Sequence, residues 1–312
     1  MGSASLSPVI AIVGPTGVGK TRTAMFLCQE IEGEVISADS RQIFKLMDIG
    51  TDKPTPEQRS LVPHHLIDVV APDEEFTLAQ YQERAYQAIE DVLDKKKVPF
   101  LVGGTGLYVR AVLEGFVIPR VEPNLQLRQR LLHEAERDGA VALHGRLREV
   151  DPEAAEKIDP ANVRRVVRAL EVYEQLGEPI SQVQARSRPP YRTLKVGLTL
   201  GRKELYRRID QRVDSMMERG LLAEVEDLVS RGYEFELPAM SGLGYRQLGT
   251  FLRGEADLPA AVQKIKSETH RFVRQQYKWF RIDDSTIHWF DVGDEPHETI
   301  KSLILGFLND SD

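Results

Sequence analysis

The chain has 312 residues and a formal net charge of −7, with 41% hydrophobic and 29% charged residues. This length and composition are ordinary for a globular protein of one or two domains. No run of eighteen apolar residues occurs, which excludes a predicted transmembrane helix. Cys28 is the only cysteine, so an internal disulfide framework and a multi-cysteine zinc site are also excluded. The first residues do not form a signal-peptide pattern, and we expect a cytoplasmic protein with no membrane partner.

A phosphate-loop motif lies near the start of the chain. The apolar run 9–13 predicts a buried strand, residues 22–31 predict a helix, and GPTGVGKT lies between them. The eight residues of this motif are Gly14, Pro15, Thr16, Gly17, Val18, Gly19, Lys20 and Thr21. In such a loop, backbone N–H groups and a helix N-terminus face an anion, the lysine neutralises phosphate charge, and the threonine hydroxyl ligates Mg²⁺. We therefore expect a di- or triphosphate at this loop and Mg²⁺ on Thr21, although the motif leaves open which molecule carries the phosphates.

Strand-like and helix-like segments alternate over the next part of the chain. Residues 34–38, 64–69 and 98–102 are short β-prone runs, and residues 73–97 repeat apolar side chains with helical spacing. Strands that alternate with helices pair in parallel, because each helix carries the chain back to the same end of the sheet. We therefore predict a parallel α/β sheet.

Polar residues follow two of these strands. Asp39 comes directly after the run 34–38, and a glycine cluster with Thr105 comes after the run 98–102. Because α/β sheets bind ligands in the crevice at the carboxyl ends of their strands, we expect Asp39 and Thr105 beside the phosphate loop. Local sequence leaves other roles open, since Asp39 could cap the following turn and the glycines could form a tight turn.

Between residues 115 and 190 the β signal disappears. Segments 125–136, 140–149 and 161–176 are amphipathic helical patterns. They predict an all-α insertion, residues 115–190, in an α/β core formed by residues 1–114 and 191–312. The predicted fold class is thus a P-loop NTPase-like parallel sheet flanked by helices, with a helical insertion domain.

The remaining segments return to the sheet and to helices. Residues 194–200 predict a strand, and residues 204–217 and 221–230 predict helices. A glycine-rich turn at 241–246 precedes a basic helix at 264–281 that contains Tyr277, Trp279 and Phe280. Such aromatics suit stacking on bases beside phosphate contacts, although a core stripe is an equally good interpretation.

Positive charge is concentrated in two segments of this acidic chain. Residues 161–212 carry twelve Arg or Lys against five Asp or Glu, and residues 264–281 carry six against one, whereas residues 283–312 carry one against eight. In the predicted helix 161–176, Arg165 and Arg168 are i, i+3 neighbours that could bind backbone phosphates together. Solvated helix faces remain the alternative explanation.

Taken in order, these segments resemble the tRNA dimethylallyltransferase family, also called tRNA isopentenyltransferases, in its bacterial form. The resemblance covers nearly the whole chain. It is carried by GPTGVGKT at 14–21, ADSRQ at 38–42, MDIGTDKP at 47–54, GGTGLY at 103–108, RRVVRALEV at 164–172, GLGYRQ at 242–247 and RQQYKWFR at 274–281.

The resemblance implies transfer of a dimethylallyl group from dimethylallyl diphosphate to N6 of the adenine at tRNA position 37. The phosphate loop would then hold the prenyl diphosphate with Mg²⁺, and Asp39 would be the general base. Lys20 and Thr21 would stabilise the leaving diphosphate. An arginine of the 204–217 helix would assist its departure; we expect Arg212, with Arg208 as the alternative.

The same resemblance implies that the anticodon stem-loop of tRNA is the partner, with the target adenine flipped out. We expect a monomer, although the sequence itself does not give the oligomeric state. Ser40 and Gln42 would contact that adenine, and Thr105 would lie at the junction of the substrates. The residues expected to bind tRNA are Asp39, Ser40, Arg41, Gln42, Thr105, Arg164, Arg165, Val166, Val167, Arg168, Ser241, Gly242, Leu243, Gly244, Tyr245, Arg246, Arg274, Lys278 and Arg281.

Two other functions use the same loop. A small-molecule or nucleoside kinase would bind ATP there, but it needs an acidic metal-binding residue after a later strand, and strand 98–102 ends in glycines. A nucleotide-gated RNA-binding protein would need no base at Asp39. Without the resemblance, the residues indicate a P-loop phosphate-dependent enzyme that contacts RNA.

Overall fold

The computed structural model describes residues 6–119, 121–183 and 191–310. The chain divides into two compact units, residues 1–113 with 190–312, and residues 114–189. The insertion expected from the sequence differs from the second unit by one residue at each end.

A six-stranded sheet forms the centre of the first unit, and all of its strand pairs are parallel. The strand order is β3-β2-β4-β1-β5-β6, and in the central strand Ile10 lies opposite Phe100 on one side and Leu194 on the other. The strands are β1 (Pro8–Val13), β2 (Gly33–Ser37), β3 (His64–His65), β4 (Val98–Gly103), β5 (Arg192–Thr199) and β6 (Ile287–Asp291). The predicted α/β class is confirmed.

Helices cover the sheet and build the rest of the chain. In the first unit they are α1 (Lys20–Ile31), α2 (Pro56–Leu61), α3 (Leu78–Asp94) and α4 (Gly106–Leu113). The second unit contains α5 (Leu125–Asp138), α6 (Ala140–Val150), α7 (Pro152–Lys157), α8 (Val163–Leu176) and α9 (Ile180–Val183). The first unit then continues with α10 (Arg202–Glu218), α11 (Leu221–Ser230), α12 (Tyr245–Leu252), α13 (Leu258–Trp279) and α14 (His297–Asn309).

Alternation along β1 supplies both faces of the sheet with core residues. Ile10 and Ile12 pack with residues of α1, α10 and α14, whereas Val9 and Ala11 pack with residues of α3 and α4. A third cluster joins α10, α11, α12 and α13 to residues 43–47. Strand residues buried on both faces are typical of a parallel sheet covered by helices, and this core fixes the carboxyl ends of β1, β2 and β4 as one edge.

The strand predicted at 64–69 is much shorter in the structure. It ends at His65 because Leu66 and Asp68 adopt left-handed φ values of 62° and 58°, which are incompatible with a strand. The Asp68 carboxylate instead accepts hydrogen bonds from Lys53 and Arg59. The β-prone sequence of this segment does not indicate such a side-chain contact.

The second unit is entirely helical where it is described. Its core includes Leu131, Leu147, Val166 and Leu170, all at most 1% exposed. Side chains cap its helices: Asn124 accepts the N–H of Leu127, and Asp151 accepts the N–H of Ala154.

Over residues 6–119, 121–183 and 191–310, none of the helices combines the length and the apolar character required to span a bilayer.

Candidate active site

The phosphate loop connects β1 to α1 with three glycines in unusual backbone conformations. Gly14, Gly17 and Gly19 have φ values of 144°, 82° and 106°, and α1 begins at the next residue. A Cβ atom on Gly14 would lie 2.4 Å from the carbonyl oxygen of Leu198, so only glycine fits there. The loop therefore has the conformation that brings backbone amides and the positive end of the α1 dipole together as an anion site.

The Lys20 side chain lies over this loop. Its Nζ donates to the carbonyl oxygens of Gly14 and Pro15 at 3.0 and 2.9 Å. Burial lowers the pKa of the Lys20 ammonium to about 8, while the Asp39 carboxylate raises it and the Arg212 guanidinium lowers it. These three charged groups therefore interact electrostatically at one end of the sheet.

Asp39 and Thr105 follow the neighbouring strands β2 and β4 and lie at the same edge of the sheet. Asp39 Oδ1 accepts the backbone N–H of Arg41 at 2.8 Å. Thr105 Oγ1 accepts the N–H of Ser40 at 3.1 Å, and its hydroxyl donates to the Ser40 hydroxyl oxygen at 3.3 Å. In the part of the chain that the structure describes, no hydrogen bond uses the other Asp39 oxygen. That oxygen is available to accept a proton.

Two cavities meet at this edge. The phosphate-side cavity, built on residues 16–21, has a volume of about 630 Å³. The turn-side cavity, built on residues 241–246 and on Arg271 and Phe272, has a volume of about 570 Å³. The two cavities share four lining residues, which are Thr16, Asp39, Thr51 and Arg212. Asp39 therefore borders both cavities.

The two arginines considered for the departing diphosphate, Arg212 and Arg208, differ in their position relative to the cavities. Arg212 lines both cavities, and its Nη1 lies 3.2 Å from Asp52 Oδ2. Asp52 also pairs with Arg219 at 3.2 Å. Arg208 lines neither of these two cavities, and its Nε donates to Glu204 Oε1 at 3.1 Å.

Lys53 organises the loop 47–54 from inside the protein, a role that sequence reasoning missed. Only 7% of Lys53 is exposed. Its Nζ donates to the carbonyl oxygen of Phe44, to Asp48 Oδ1 and to Asp68 Oδ1, each at 2.6 Å. The segment MDIGTDKP carries the resemblance, but nothing in it indicates that its lysine is buried.

Glu224 of α11 supports the same loop from the other side. Its carboxylate accepts the backbone N–H groups of Asp48, Ile49 and Gly50 at 2.8, 2.7 and 3.0 Å, and the Tyr245 hydroxyl donates to it at 2.6 Å. Glu224 therefore connects the loop 47–54 to the turn 241–246. Sequence reasoning missed this residue because its partners lie 21 to 176 positions away along the chain.

The glycine-rich turn predicted to bind tRNA forms one wall of the turn-side cavity. Arg41 holds it in place, because its guanidinium donates to the carbonyl oxygen of Pro238 at 2.9 Å and to the Ser241 hydroxyl at 3.3 Å. Tyr245 is 1% exposed, so it is a buried support, whereas Arg246 is exposed and pairs with Glu268. The cavity wall includes every predicted residue of the turn: Ser241, Gly242, Leu243, Gly244, Tyr245 and Arg246.

Gln42 uses both ends of its side-chain amide within the chain. Its Nε2 lies 3.3 Å from the carbonyl oxygens of Thr51 and Asp52, and its Oε1 accepts the Ser37 hydroxyl at 3.0 Å. Gln42 lines the phosphate-side cavity, whereas Ser40 lines the turn-side cavity. Contact between Gln42 and an adenine stays a prediction.

The basic helix predicted at 264–281 is the C-terminal part of α13, which begins at Leu258 and ends at Trp279. Arg274, Lys278 and Arg281 are exposed. The Arg274 guanidinium donates to the Tyr206 hydroxyl at 2.9 Å, and Arg281 pairs with Asp283.

Three of the four aromatic residues in this segment, Tyr277, Trp279 and Phe280, differ in burial. Trp279 is 45% exposed and packs on Gly106, whereas Phe280 is 4% exposed and belongs to the core. The Tyr277 hydroxyl lies 3.0 Å from the Thr199 hydroxyl. Phe280 therefore fits the core interpretation, whereas stacking of the exposed Trp279 on a base stays a prediction.

Within the insertion, the residues of α8 predicted to contact tRNA divide between surface and core. Arg164 and Arg165 are exposed. Val166 and Val167 are 0% and 4% exposed and belong to the core of the insertion. Their predicted contact with tRNA is corrected here, because their side chains face the other helices of the unit and present almost no surface.

Arg168 has a structural role in the same helix. Its Nη1 donates to Glu171 Oε2 at 2.6 Å, and Arg128 binds the same carboxylate through two hydrogen bonds. Burial raises the pKa of Glu171, but the hydrogen bonds from Arg128 and Arg168 lower it below its ordinary value. Arg165 and Arg168 were predicted to bind phosphates together. In the structure Arg165 is exposed, whereas Arg168 is hydrogen-bonded to the buried Glu171 carboxylate.

The donor set beside the phosphate loop is compatible with Mg²⁺. The Thr21 hydroxyl lies in the wall of the phosphate-side cavity with Asp39 and Asp52. Mg²⁺ takes oxygen ligands and usually combines one or two protein groups with substrate phosphates and water, so these residues fit it. Among the described residues, no cluster of three or more His, Cys, Asp or Glu is arranged to hold a metal ion by itself.

The sequence profile described as IPP transferase matches residues 42–283. The chain belongs to the IPP transferase family. Proteins named tRNA dimethylallyltransferase are similar over most of their length. The Herpetosiphon aurantiacus protein is 54% identical over 273 residues, which are 88% of this chain and 87% of that protein. The Dehalococcoides mccartyi protein is 46% identical over 305 residues, which are 98% and 94%.

Solved structures of IPP transferases agree with this assignment. The tRNA isopentenylpyrophosphate transferase of Bacillus halodurans is 38% identical, with a TM-score of 0.73 over 98% of each chain. A eukaryotic dimethylallyltransferase, described as acting on tRNA, is 27% identical, with a TM-score of 0.83 over 98% of this chain and 80% of that one. The family named on sequence resemblance is confirmed.

Proposed function

We propose that this IPP transferase transfers a dimethylallyl group from dimethylallyl diphosphate to N6 of the adenine at tRNA position 37, releasing diphosphate. The names of its relatives support a dimethylallyl donor and a tRNA acceptor. Membership in the IPP transferase family, whose members named here transfer a dimethylallyl group, disfavours the kinase alternative.

The observation that carries the proposal is the junction of the two cavities at Asp39. The phosphate-side cavity contains the loop that suits a diphosphate, and the turn-side cavity is lined by Arg41, Arg246 and Arg271. The reaction requires a small diphosphate and a large polyanion to meet at one point. Two cavities that share Asp39 and Arg212 in their walls match this requirement better than one nucleotide pocket does.

The leaving group determines what the phosphate loop contributes. As the bond between the allylic carbon and the diphosphate oxygen breaks, negative charge develops on the diphosphate. The groups that would stabilise this charge are the Lys20 ammonium, the Arg212 guanidinium and the backbone N–H groups of Gly17, Gly19, Lys20 and Thr21. Thr21 would hold Mg²⁺, which supplies further positive charge to diphosphate oxygens when bound.

Asp39 acts on the acceptor. The N6 nitrogen of adenine forms a bond to the allylic carbon, and the proton that it loses passes to the Asp39 carboxylate. An exocyclic amine is a weak nucleophile, so close positioning of N6 against the allylic carbon supplies much of the rate. Ser40 and Thr105, which are hydrogen-bonded to each other beside Asp39, position the flipped base.

Exposed arginines and lysines bind the tRNA backbone. In the first unit they are Arg246, Arg274, Lys278 and Arg281, and in the insertion they are Arg164 and Arg165. These contacts are electrostatic and position the anticodon stem-loop without reading its sequence. We further propose that the enzyme acts as a monomer in the cytoplasm, which sedimentation of the purified protein and fractionation of cells would test.

A transfer assay tests the function directly. Purified protein, Mg²⁺ and labelled dimethylallyl diphosphate are incubated with unmodified tRNA, and with the same tRNA carrying guanine at position 37. ATP hydrolysis and phosphotransfer are measured in parallel. The proposal predicts label only in the tRNA that carries the adenine; ATP turnover without labelled tRNA would instead establish the kinase.

A further inference from the structure

Gln276 connects two loops at the edge of the sheet from inside α13. Its side chain is buried, with 3% of the residue exposed. Its Oε1 accepts the backbone N–H of Thr16 at 2.8 Å, and its Nε2 donates to the carbonyl oxygen of Gly104 at 3.1 Å. One amide therefore satisfies one backbone group in the phosphate loop after β1 and another in the loop after β4.

Each of these two loops leads to a different part of the site. Thr16 lines both cavities and belongs to the phosphate loop. Gly104 precedes Thr105, whose hydroxyl accepts the N–H of Ser40 directly beside Asp39. Through Gln276, the loop that holds the diphosphate and the loop that positions the base have a common support.

The packing around this amide leaves little freedom. A Cβ atom on Gly104 would lie 2.4 Å from Gln276 Nε2, so the loop backbone approaches the amide as closely as only glycine allows. A buried amide with both ends hydrogen-bonded also resists rotation, because a rotation would leave the part-buried Thr16 N–H and the buried Gly104 carbonyl without partners.

We propose that Gln276 is a positioning residue for the transfer reaction. It fixes the distance between the phosphate loop and the Thr105 loop, and therefore the distance between the allylic carbon and N6. Gln276 borders the turn-side cavity, but both ends of its amide are hydrogen-bonded to the two loops, so it acts on the rate of transfer and not on the binding of either substrate. The inference rests on the proposed function.

Gln276→Met tests this role, because methionine has a similar shape but forms neither hydrogen bond. A misplacement of about 1 Å costs about 10²-fold in rate, so we expect the single-turnover rate constant to fall by about that factor. The dissociation constants of donor and tRNA should stay within about twofold of the parent values, since no binding group is removed. The matched control is Gln263→Met, on the exposed surface of the same helix.

Gln276→Glu provides a readout that a general structural role would not give. An ionised carboxylate accepts the Thr16 N–H but cannot donate to the Gly104 carbonyl, whereas the protonated acid makes both hydrogen bonds. With both substrates saturating, the rate relative to the parent enzyme should rise as pH falls from about 8 to 6, where a buried carboxyl gains its proton. Gln263→Glu should show a constant ratio.

The proposal is overturned if Gln276→Met transfers at the parent rate, if weaker binding accounts for its loss, or if the Gln276→Glu ratio does not change with pH. A parent enzyme that labels no tRNA would refute the proposed function instead. Hydrogen exchange at the Thr16 amide separates the two cases, because it needs no activity: the amide should exchange faster in Gln276→Met.

Discussion

Replacing Arg212 with glutamine should reduce transfer strongly and leave the fold intact. The guanidinium lines both cavities and lies 3.2 Å from Asp52. Lys20 also lines the phosphate-side cavity, and Arg212 lowers the pKa of Lys20. Removing one donor to a developing anion typically costs about 10²–10³-fold in rate, or about 2.7–4 kcal/mol. We expect a loss in this range in the single-turnover rate with dimethylallyl diphosphate.

Arg208→Gln is the matched control, one turn away on α10. Its guanidinium pairs with the partly exposed Glu204, and its side chain is 38% exposed. Because Arg208 lines neither of these two cavities and its pair is exposed to solvent, we expect a change in rate of less than about threefold. Both variants are assayed with saturating tRNA and donor. Equal losses in the two variants, or a loss below about threefold for Arg212→Gln, would refute the assignment of Arg212 to the leaving diphosphate.

Three further predictions concern the diphosphate, the tRNA and the loop 47–54. The Lys20 ammonium, with a pKa of about 8, loses its proton as pH rises. Affinity for a donor analogue, measured by calorimetry, should therefore fall by up to about tenfold from pH 7 to 9. In Lys20→Arg the affinity should change much less with pH, because arginine stays protonated. Arg165→Ala should weaken tRNA binding and reduce its salt slope by about one, whereas Arg168→Ala should mainly lower the melting temperature; an unchanged slope for Arg165→Ala would make Arg165 structural. Glu224→Ala leaves three backbone N–H groups and the Tyr245 hydroxyl without their acceptor, so denaturant unfolding should show a loss of about 3 kcal/mol, and a loss below about 1 kcal/mol would contradict this account.

Local motifs were predictable because their conformation depends on residues near in sequence. Gly14, Gly17 and Gly19 adopt the positive φ values that a phosphate loop requires, and α1 starts at Lys20. The alternation of strands and helices also defined the parallel sheet. The strand expected at 64–69 forms only at His64–His65, because Leu66 and Asp68 leave the extended conformation and Asp68 binds Lys53, a contact that neighbouring residues do not reveal.

The supports of the site could not be predicted in the same way. Gln276 contacts Thr16 across 260 positions, and Glu224 contacts the loop 47–54 across 174 to 176 positions. Nothing in the segments around Gln276 and Glu224 shows whether these polar side chains are buried supports or exposed surface groups. Burial likewise separates Val166 from Arg165, although both lie in the segment that carries the family resemblance.

The central claim is that Asp39 takes the proton from N6 where the two cavities meet. Asp39→Asn tests it most directly, because an amide keeps an oxygen to accept the Arg41 N–H and removes the basic carboxylate. We predict that donor and tRNA bind within about twofold of the parent affinity while the single-turnover rate falls by about 10²–10⁴-fold, as expected for loss of a general base. Transfer near the parent rate by Asp39→Asn would contradict the account and leave Asp39 as a residue that only caps its turn.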